Sequence, residues 1–166
     1  MFKNAFTIKP DYAEAYFNYG VIQKLIGNID GAINSYQKAI SILPNYPDAH
    51  NNLGNAYREI GKTQEAIECY EWAVAYNSGF AQAYNNLGSA LRENSEVTKA
   101  IEACEKAIQI KPDYAQAYNN LGLAYYKING AELAIKNFNR AIEKKPEFSE
   151  PYNNIGLLMA KKKDFD

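Results

Sequence analysis

Apolar and polar positions along the chain follow a helical spacing that restarts every 34 residues. Within 81–93, Tyr84, Leu87, Gly88 and Leu91 fall at i, i+3, i+4 and i+7, one face of a helix. After a break at Asn94-Ser95, a second stripe runs through Ala100, Ile101, Cys104, Ala107 and Ile108. Lys111-Pro112-Asp113 ends it, because proline lacks the N–H that a helix needs and pushes its predecessor out of the α region. The block AQAYNNLG stands at 81–88 and again at 115–122, with looser copies starting at Ala13, Pro47 and Ser149. Sorted by this period, Gly20, Gly54, Gly88, Gly122 and Gly156 form one column. Ala32, Ala66, Ala100 and Ala134 form another, and Ala5, Ala39, Ala73, Ala107 and Ala141 a third. The spacing predicts an all-α array of helix pairs, with full repeats at 13–46, 47–80, 81–114 and 115–148. Residues 1–12 read as the back half of a second helix, and 149–166 as the first helix of a fifth repeat. One such pair buries little alone, so stacked neighbours supply the core.

Composition narrows the function. The 166 residues carry a formal net charge of −1 and 47% hydrophobic residues, which fits a folded soluble chain and argues against disorder. That balance removes the main argument for nucleic-acid binding, which needs clustered Lys and Arg. No apolar run approaches a membrane span, and Met1-Phe2-Lys3 does not open a signal peptide, so a cytoplasmic location is expected. The chain starts and stops within a repeat, as a piece of a longer protein would.

The repeats resemble the tetratricopeptide family. Its aromatic-x2-Leu-Gly-x2-Tyr pattern stands at Tyr118, Leu121, Gly122 and Tyr125, and its later Ala, Phe and Pro at Ala134, Phe138 and Pro146. The resemblance covers all 166 residues. It implies a right-handed α-α superhelix, a solenoid of antiparallel helix pairs whose first helices line the concave wall. Departures are local: His50 replaces the first aromatic of the second repeat, Ser78 its proline, and Cys104 an aromatic in the third. Ser95 and Asn129 stand where Gly27 and Gly61 form the inter-helix turn.

Little here supports catalysis, and the chain is expected to be no enzyme, with no metal and no cofactor. Gly61-Lys62-Thr63 lacks the first glycine and preceding strand of a phosphate loop. His50 is the sole histidine and has no partner at the spacing of a catalytic base. Cys104 reads as a buried thiol, whereas Cys69, beside Tyr70, reads as partly exposed. Neighbouring Glu68 and Glu71 have the wrong sign to activate Cys69.

The asparagine columns carry more. Asn18, Asn52, Asn86, Asn120 and Asn154 share one phase of the first helices, and Asn51, Asn85, Asn119 and Asn153 precede four of them. Asparagine is a mediocre helix former, so five in phase need a reason. Both columns read as lying off the apolar stripe, and a primary amide offers donor and acceptor to an extended main chain. This resembles the asparagine ladder in the repeat domain of O-linked N-acetylglucosamine transferases, which implies peptide binding. Helix-to-helix hydrogen bonding is the alternative origin of the columns.

The expected site therefore comprises Asn18, Asn51, Asn52, Asn85, Asn86, Asn119, Asn120 and Asn154, with Asn55, Arg58, Arg92 and Tyr126 setting specificity. Val21, Lys24, Ser89, Leu123 and Leu157 share these inner-wall phases. The cations that family members use to clamp a C-terminal carboxylate are absent: their columns read Phe17, Asn51, Asn85, Asn119 and Gln82, Gln116.

The expected function is a scaffold binding a protein or peptide, without nucleic acid or membrane. The alternatives are a substrate-recruiting part of a larger glycosyltransferase and a head-to-tail self-assembling array. For the last, Phe2 and Phe6 at one end and Tyr152, Ile155 and Met159 at the other are the contact residues. Charge also drifts: the second repeat carries Glu59, Glu65, Glu68 and Glu71, the fourth Lys136, Arg140, Lys144 and Lys145. This reads as a solvated outer face or a bias for docking a partner or another copy.

Overall fold

The computed structural model describes residues 12–163, the side chains through Ala160. Phe2, Phe6 and the rest of 1–11, and 164–166, lie outside the described residues. The chain divides into two compact units, Met1–Gly79 and Phe80–Asp166. Among the described residues every regular element is an α-helix.

The first unit contains α1 (Ala13–Leu25), α2 (Ile29–Ile42), α3 (Pro47–Glu59) and α4 (Thr63–Tyr76). Here α1 packs on α2, α3 on α4, and α2 on α3. The second contains α5 (Ala81–Glu93), α6 (Val97–Ile110), α7 (Ala115–Lys127), α8 (Ala131–Lys144) and α9 (Ser149–Lys163). It repeats the arrangement with α5 on α6, α6 on α7, α7 on α8 and α8 on α9. Its first helices also meet, α5 with α7 and α7 with α9.

The small columns mark where paired helices cross. Ala32, Ala66, Ala100 and Ala134 are fully buried, as are Ala39, Ala73, Ala107 and Ala141. A methyl on Gly20 or Gly54 would lie 2.7 or 2.6 Å from the ring of Tyr36 or Tyr70. On Gly88 it would lie 2.5 Å from Cys104 Sγ, and on Gly122 2.6 Å from Phe138. Gly156 differs, with nothing within 4 Å.

Each turn within a pair is closed by two backbone hydrogen bonds. Gly27 N–H donates to Lys24 O and Asn28 N–H to Gln23 O, at 3.0 and 2.9 Å, a Schellman arrangement. It needs a left-handed residue, and Gly27, Gly61, Ser95 and Asn129 have φ of 79°, 77°, 67° and 59°. The departures at Ser95 and Asn129 thus keep the turn but place a Cβ in the left-handed region. At Ser78 the missing proline is replaced in another way. Asn77 keeps the extended conformation of the other pre-proline residues, φ −138°, and its Oδ1 accepts the Gly79 N–H at 3.0 Å.

Candidate functional site

The first helices present their polar phases differently in the two asparagine columns. Asn51, Asn85 and Asn119 are buried, at 2%, 7% and 3% exposure. The reading that both columns lie off the packed face is therefore corrected for this one. A step of one residue rotates a side chain by about 100° around the helix. Asn52, Asn86, Asn120 and Asn154 are half-buried and Asn18 is exposed.

In the second unit the columns join across repeats. Asn120 Nδ2 donates to Asn85 Oδ1, and Asn154 Nδ2 to Asn119 Oδ1, both at 2.9 Å. Asn119 Nδ2 in turn reaches Glu150 Oε2 at 3.4 Å. In the first unit the partners are tyrosines on the second helices. Asn52 hydrogen-bonds the Tyr36 hydroxyl, a contact that opposes the burial which pushes this phenol up to about 12. Tyr70 Oη donates to Asn55 Oδ1 at 2.8 Å. Cys104 and Phe138 hold the same register in the second unit and carry no hydroxyl.

Two recesses open on this wall of the first unit. One, of about 350 Å³, is lined by Val21, Lys24, Leu25, Tyr36 and Asn52. The other, of about 340 Å³, is lined by Lys24, Asn55, Arg58 and Glu59. Lys24 belongs to both, and its Nζ lies 3.7 Å from Glu59 Oε2, bridging α1 and α3. The structure thus places Asn52 in one recess and Asn55 and Arg58 in the other, with Lys24 common to both.

On the second unit Tyr126 and Leu123 are half-buried against the Ala134, Phe138 and Leu158 cluster. Ser89 is buried, and Arg92 is half-buried with its Nε enclosed and without a hydrogen-bond partner. Arg92 Nη2 lies 3.8 Å from Glu93 Oε1. On α9, Tyr152, Leu157 and Met159 are 50%, 70% and 51% exposed, and Ile155 is half-buried.

The thiols differ from one expectation. Cys69, read as partly exposed, is buried at 8%, and Cys104 is fully buried. Burial pushes both up to about 12, with the Glu68 and Glu65 carboxylates adding to it at Cys69. His50 is buried and its Nε2 lies 2.8 Å from Pro44 O. Burial holds its pKa below the usual histidine range. Its ring sits 5.6 Å from Tyr76 and 6.4 Å from Trp72, which stack on each other at 5.6 Å. This exposed indole was not among the sequence candidates. Among the described residues there is no group of three His, Cys, Asp or Glu able to hold a metal, and no helix long and apolar enough to cross a membrane.

Comparisons with known proteins fit this architecture. Family models described as Tetratricopeptide repeat match residues 51–115 and 103–136, and one described as TPR repeat matches 24–61. A crystal structure of MamA superposes with a TM-score of 0.82 at 34% identity, over 90% of this chain and 87% of that one. MamA from Desulfovibrio magneticus RS-1 gives 0.82 at 22% identity, over 92% and 86% of the two chains. PilF of Pseudomonas aeruginosa gives 0.81 at 24% identity, over 92% and 70%, a likeness of fold. No curated protein matches the chain.

Proposed function

The chain belongs to the tetratricopeptide repeat family and is thereby a protein-interaction module, and we propose that its first-helix walls bind an extended peptide or protein segment. The observation that carries this reading is the pair of adjoining recesses at Asn52, Asn55, Lys24 and Arg58. They combine the apolar side chains of Val21 and the exposed Leu25 with amides and cations, the mixture that main chain and side chains of a ligand require.

The hydrogen bonds refine how the asparagines act. With Nδ2 of Asn120 and Asn154 donating to Asn85 and Asn119, each offers a ligand its carbonyl oxygen. These two side chains are then acceptors for main-chain N–H groups.

A peptide selected from a displayed random library against the whole chain provides the test. Asn120→Ala removes both the acceptor and the bond to Asn85, whereas Asn120→Asp also loses that bond but keeps an acceptor, now a charged carboxylate. Peptide binding lost in the first, by about 0.5–1.5 kcal/mol, and retained in the second supports the reading. Binding that falls in both variants in step with thermal stability assigns the column to helix-to-helix bonding and overturns it.

A second reading rests on Gly156. Every other glycine of its column is covered by the side chain sixteen residues on: Tyr36, Tyr70, Cys104 or Phe138. One period before Tyr36 the sequence has Phe2. We propose that the segment around Phe2 and Phe6 of a second copy covers the face formed by Tyr152, Ile155, Gly156 and Met159. Such a head-to-tail contact is heterologous and propagates. Sedimentation across a wide concentration range should show association that Ile155→Glu weakens. A monomer at every concentration sinks this reading.

A further inference from the structure

The first unit holds another recess, of about 380 Å³, which shares no lining residue with the two at Asn52 and Asn55. Ile40 of α2, Leu53 of α3 and Trp72 of α4 give it apolar walls, and Glu65 and Glu68 of α4 are among its lining residues. The neutral His50 ring and the protonated Cys69 thiol also line it. If His50 Nε2–H donates to Pro44 O, its remaining ring nitrogen is an acceptor.

Two independent features give this recess a preference of charge. Glu65, Glu68 and the neighbouring Glu71 are exposed, and none forms an ion pair among the described residues. The nearby cation, Lys62, stands over the Tyr57 ring at 5.9 Å. The second feature is a substitution within the repeat itself. The position of Trp72 is occupied by Lys38, Lys106 and Arg140 in the other three repeats. In this repeat alone the outward cation gives way to an indole, 53% exposed, beside uncompensated carboxylates.

We propose that this recess receives an arginine side chain from a basic peptide segment of a partner protein. The guanidinium stacks on Trp72 and pairs with Glu65 and Glu68, while its methylenes cover Ile40 and Leu53. Arginine suits the site better than lysine because its planar fork both stacks on an aromatic face and bonds a carboxylate twice.

Trp72 is the single tryptophan of the chain, so its emission reports the recess directly. The probes are a short synthetic peptide alternating arginine and alanine, and its counterparts with lysine or glutamate in place of arginine. The arginine peptide should change Trp72 emission saturably, the lysine peptide more weakly, and the glutamate peptide not at all. The double variant Glu65→Gln/Glu68→Gln, altered only at exposed positions, should bind the arginine peptide about tenfold more weakly. Asn52→Ala should leave this binding unchanged, which separates it from the proposed site at the other recesses. No saturable change, or equal binding by the double variant, overturns the proposal. Emission that changes with protein concentration alone, and ceases to do so in Lys136→Glu/Arg140→Glu, identifies the occupant as a second copy and equally overturns it.

Discussion

Gly122 and Gly156 occupy the same place in successive first helices, yet replacing each by alanine should change stability in different ways. A methyl on Gly122 would lie 2.6 and 2.7 Å from ring atoms of Phe138 and 3.1 Å from the Ala134 carbonyl oxygen. Phe138 is 1% exposed, and the carbonyl is backbone that moves only if α8 moves. Such overpacking costs about 1–3 kcal/mol. On Gly156 the same methyl meets nothing within 4 Å. Alanine improves helix propensity by about 0.8–1 kcal/mol, and this gain is common to both sites. Gly156→Ala should therefore stabilise by up to about 1 kcal/mol, and Gly122→Ala should range from neutral to about 2 kcal/mol destabilising. Because the propensity cancels, the difference between the variants is the packing cost alone.

Urea unfolding followed by far-UV circular dichroism measures this difference, at low protein concentration so that the proposed association through the α9 face does not contribute. The m-value must be compared as well, since an array of repeats loses cooperativity when one interface weakens. Hydrogen exchange should localise the Gly122→Ala effect to α7 and α8. Equal shifts of the two variants in the same direction would refute the assignment of this column to close helix crossings.

Four other outcomes follow from the structure. Ser95→Gly should stabilise by about 1 kcal/mol, because the residue has φ of 67° and glycine reaches that region freely, and thermal melting reads it as a rise of a few degrees; no rise would mean the serine conformation is unstrained. Cys69 and Cys104, both raised to about 12, should resist alkylation at pH 8 in the native protein and react once it is denatured. Above a thiol's ordinary 9.0 the unfolded chain releases protons that the folded chain keeps, so these groups should lower stability as pH rises toward about 12, and Cys104→Ala should flatten that slope. His50 has the opposite sign: its depressed pKa favours the folded state above 6.5 and that contribution is lost as pH falls, so His50→Phe should flatten the acid side of the stability profile.

The helix pairs were legible because the apolar stripe, the glycine column and the alanine columns are facts of spacing, and close crossings admit only small residues. The departures were legible as positions but not as solutions. That Ser95 and Asn129 keep a left-handed turn, and that Asn77 supplies an Asx turn where proline is missing, are backbone events. A column of residue types does not specify them.

The site was legible in part for a related reason. Periodicity assigns a phase within one helix, and it set Asn52, Asn120 and Asn154, which are half-buried, off the edge of the apolar stripe. It set Asn85 and Asn119 off that edge too, because the partner that draws each of them inward lies 35 residues away on the next first helix. Trp72 was missed for the converse reason. An aromatic among apolar residues reads as core, and only comparison down its own column, against Lys38, Lys106 and Arg140, marks it as outward.

In an array whose backbone repeats so closely, the side-chain chemistry changes where one repeat departs from the others. Tyr36 and Tyr70 provide hydroxyls to the amides of Asn52 and Asn55, and Cys104 and Phe138 do not. The amides of the second unit bond one another instead, Asn120 to Asn85 and Asn154 to Asn119. Carboxylates dominate the outer helix of the second repeat and cations that of the fourth. A partner that touches more than one repeat thus meets a different set of donors, acceptors and charges at each step, on a scaffold that hardly changes.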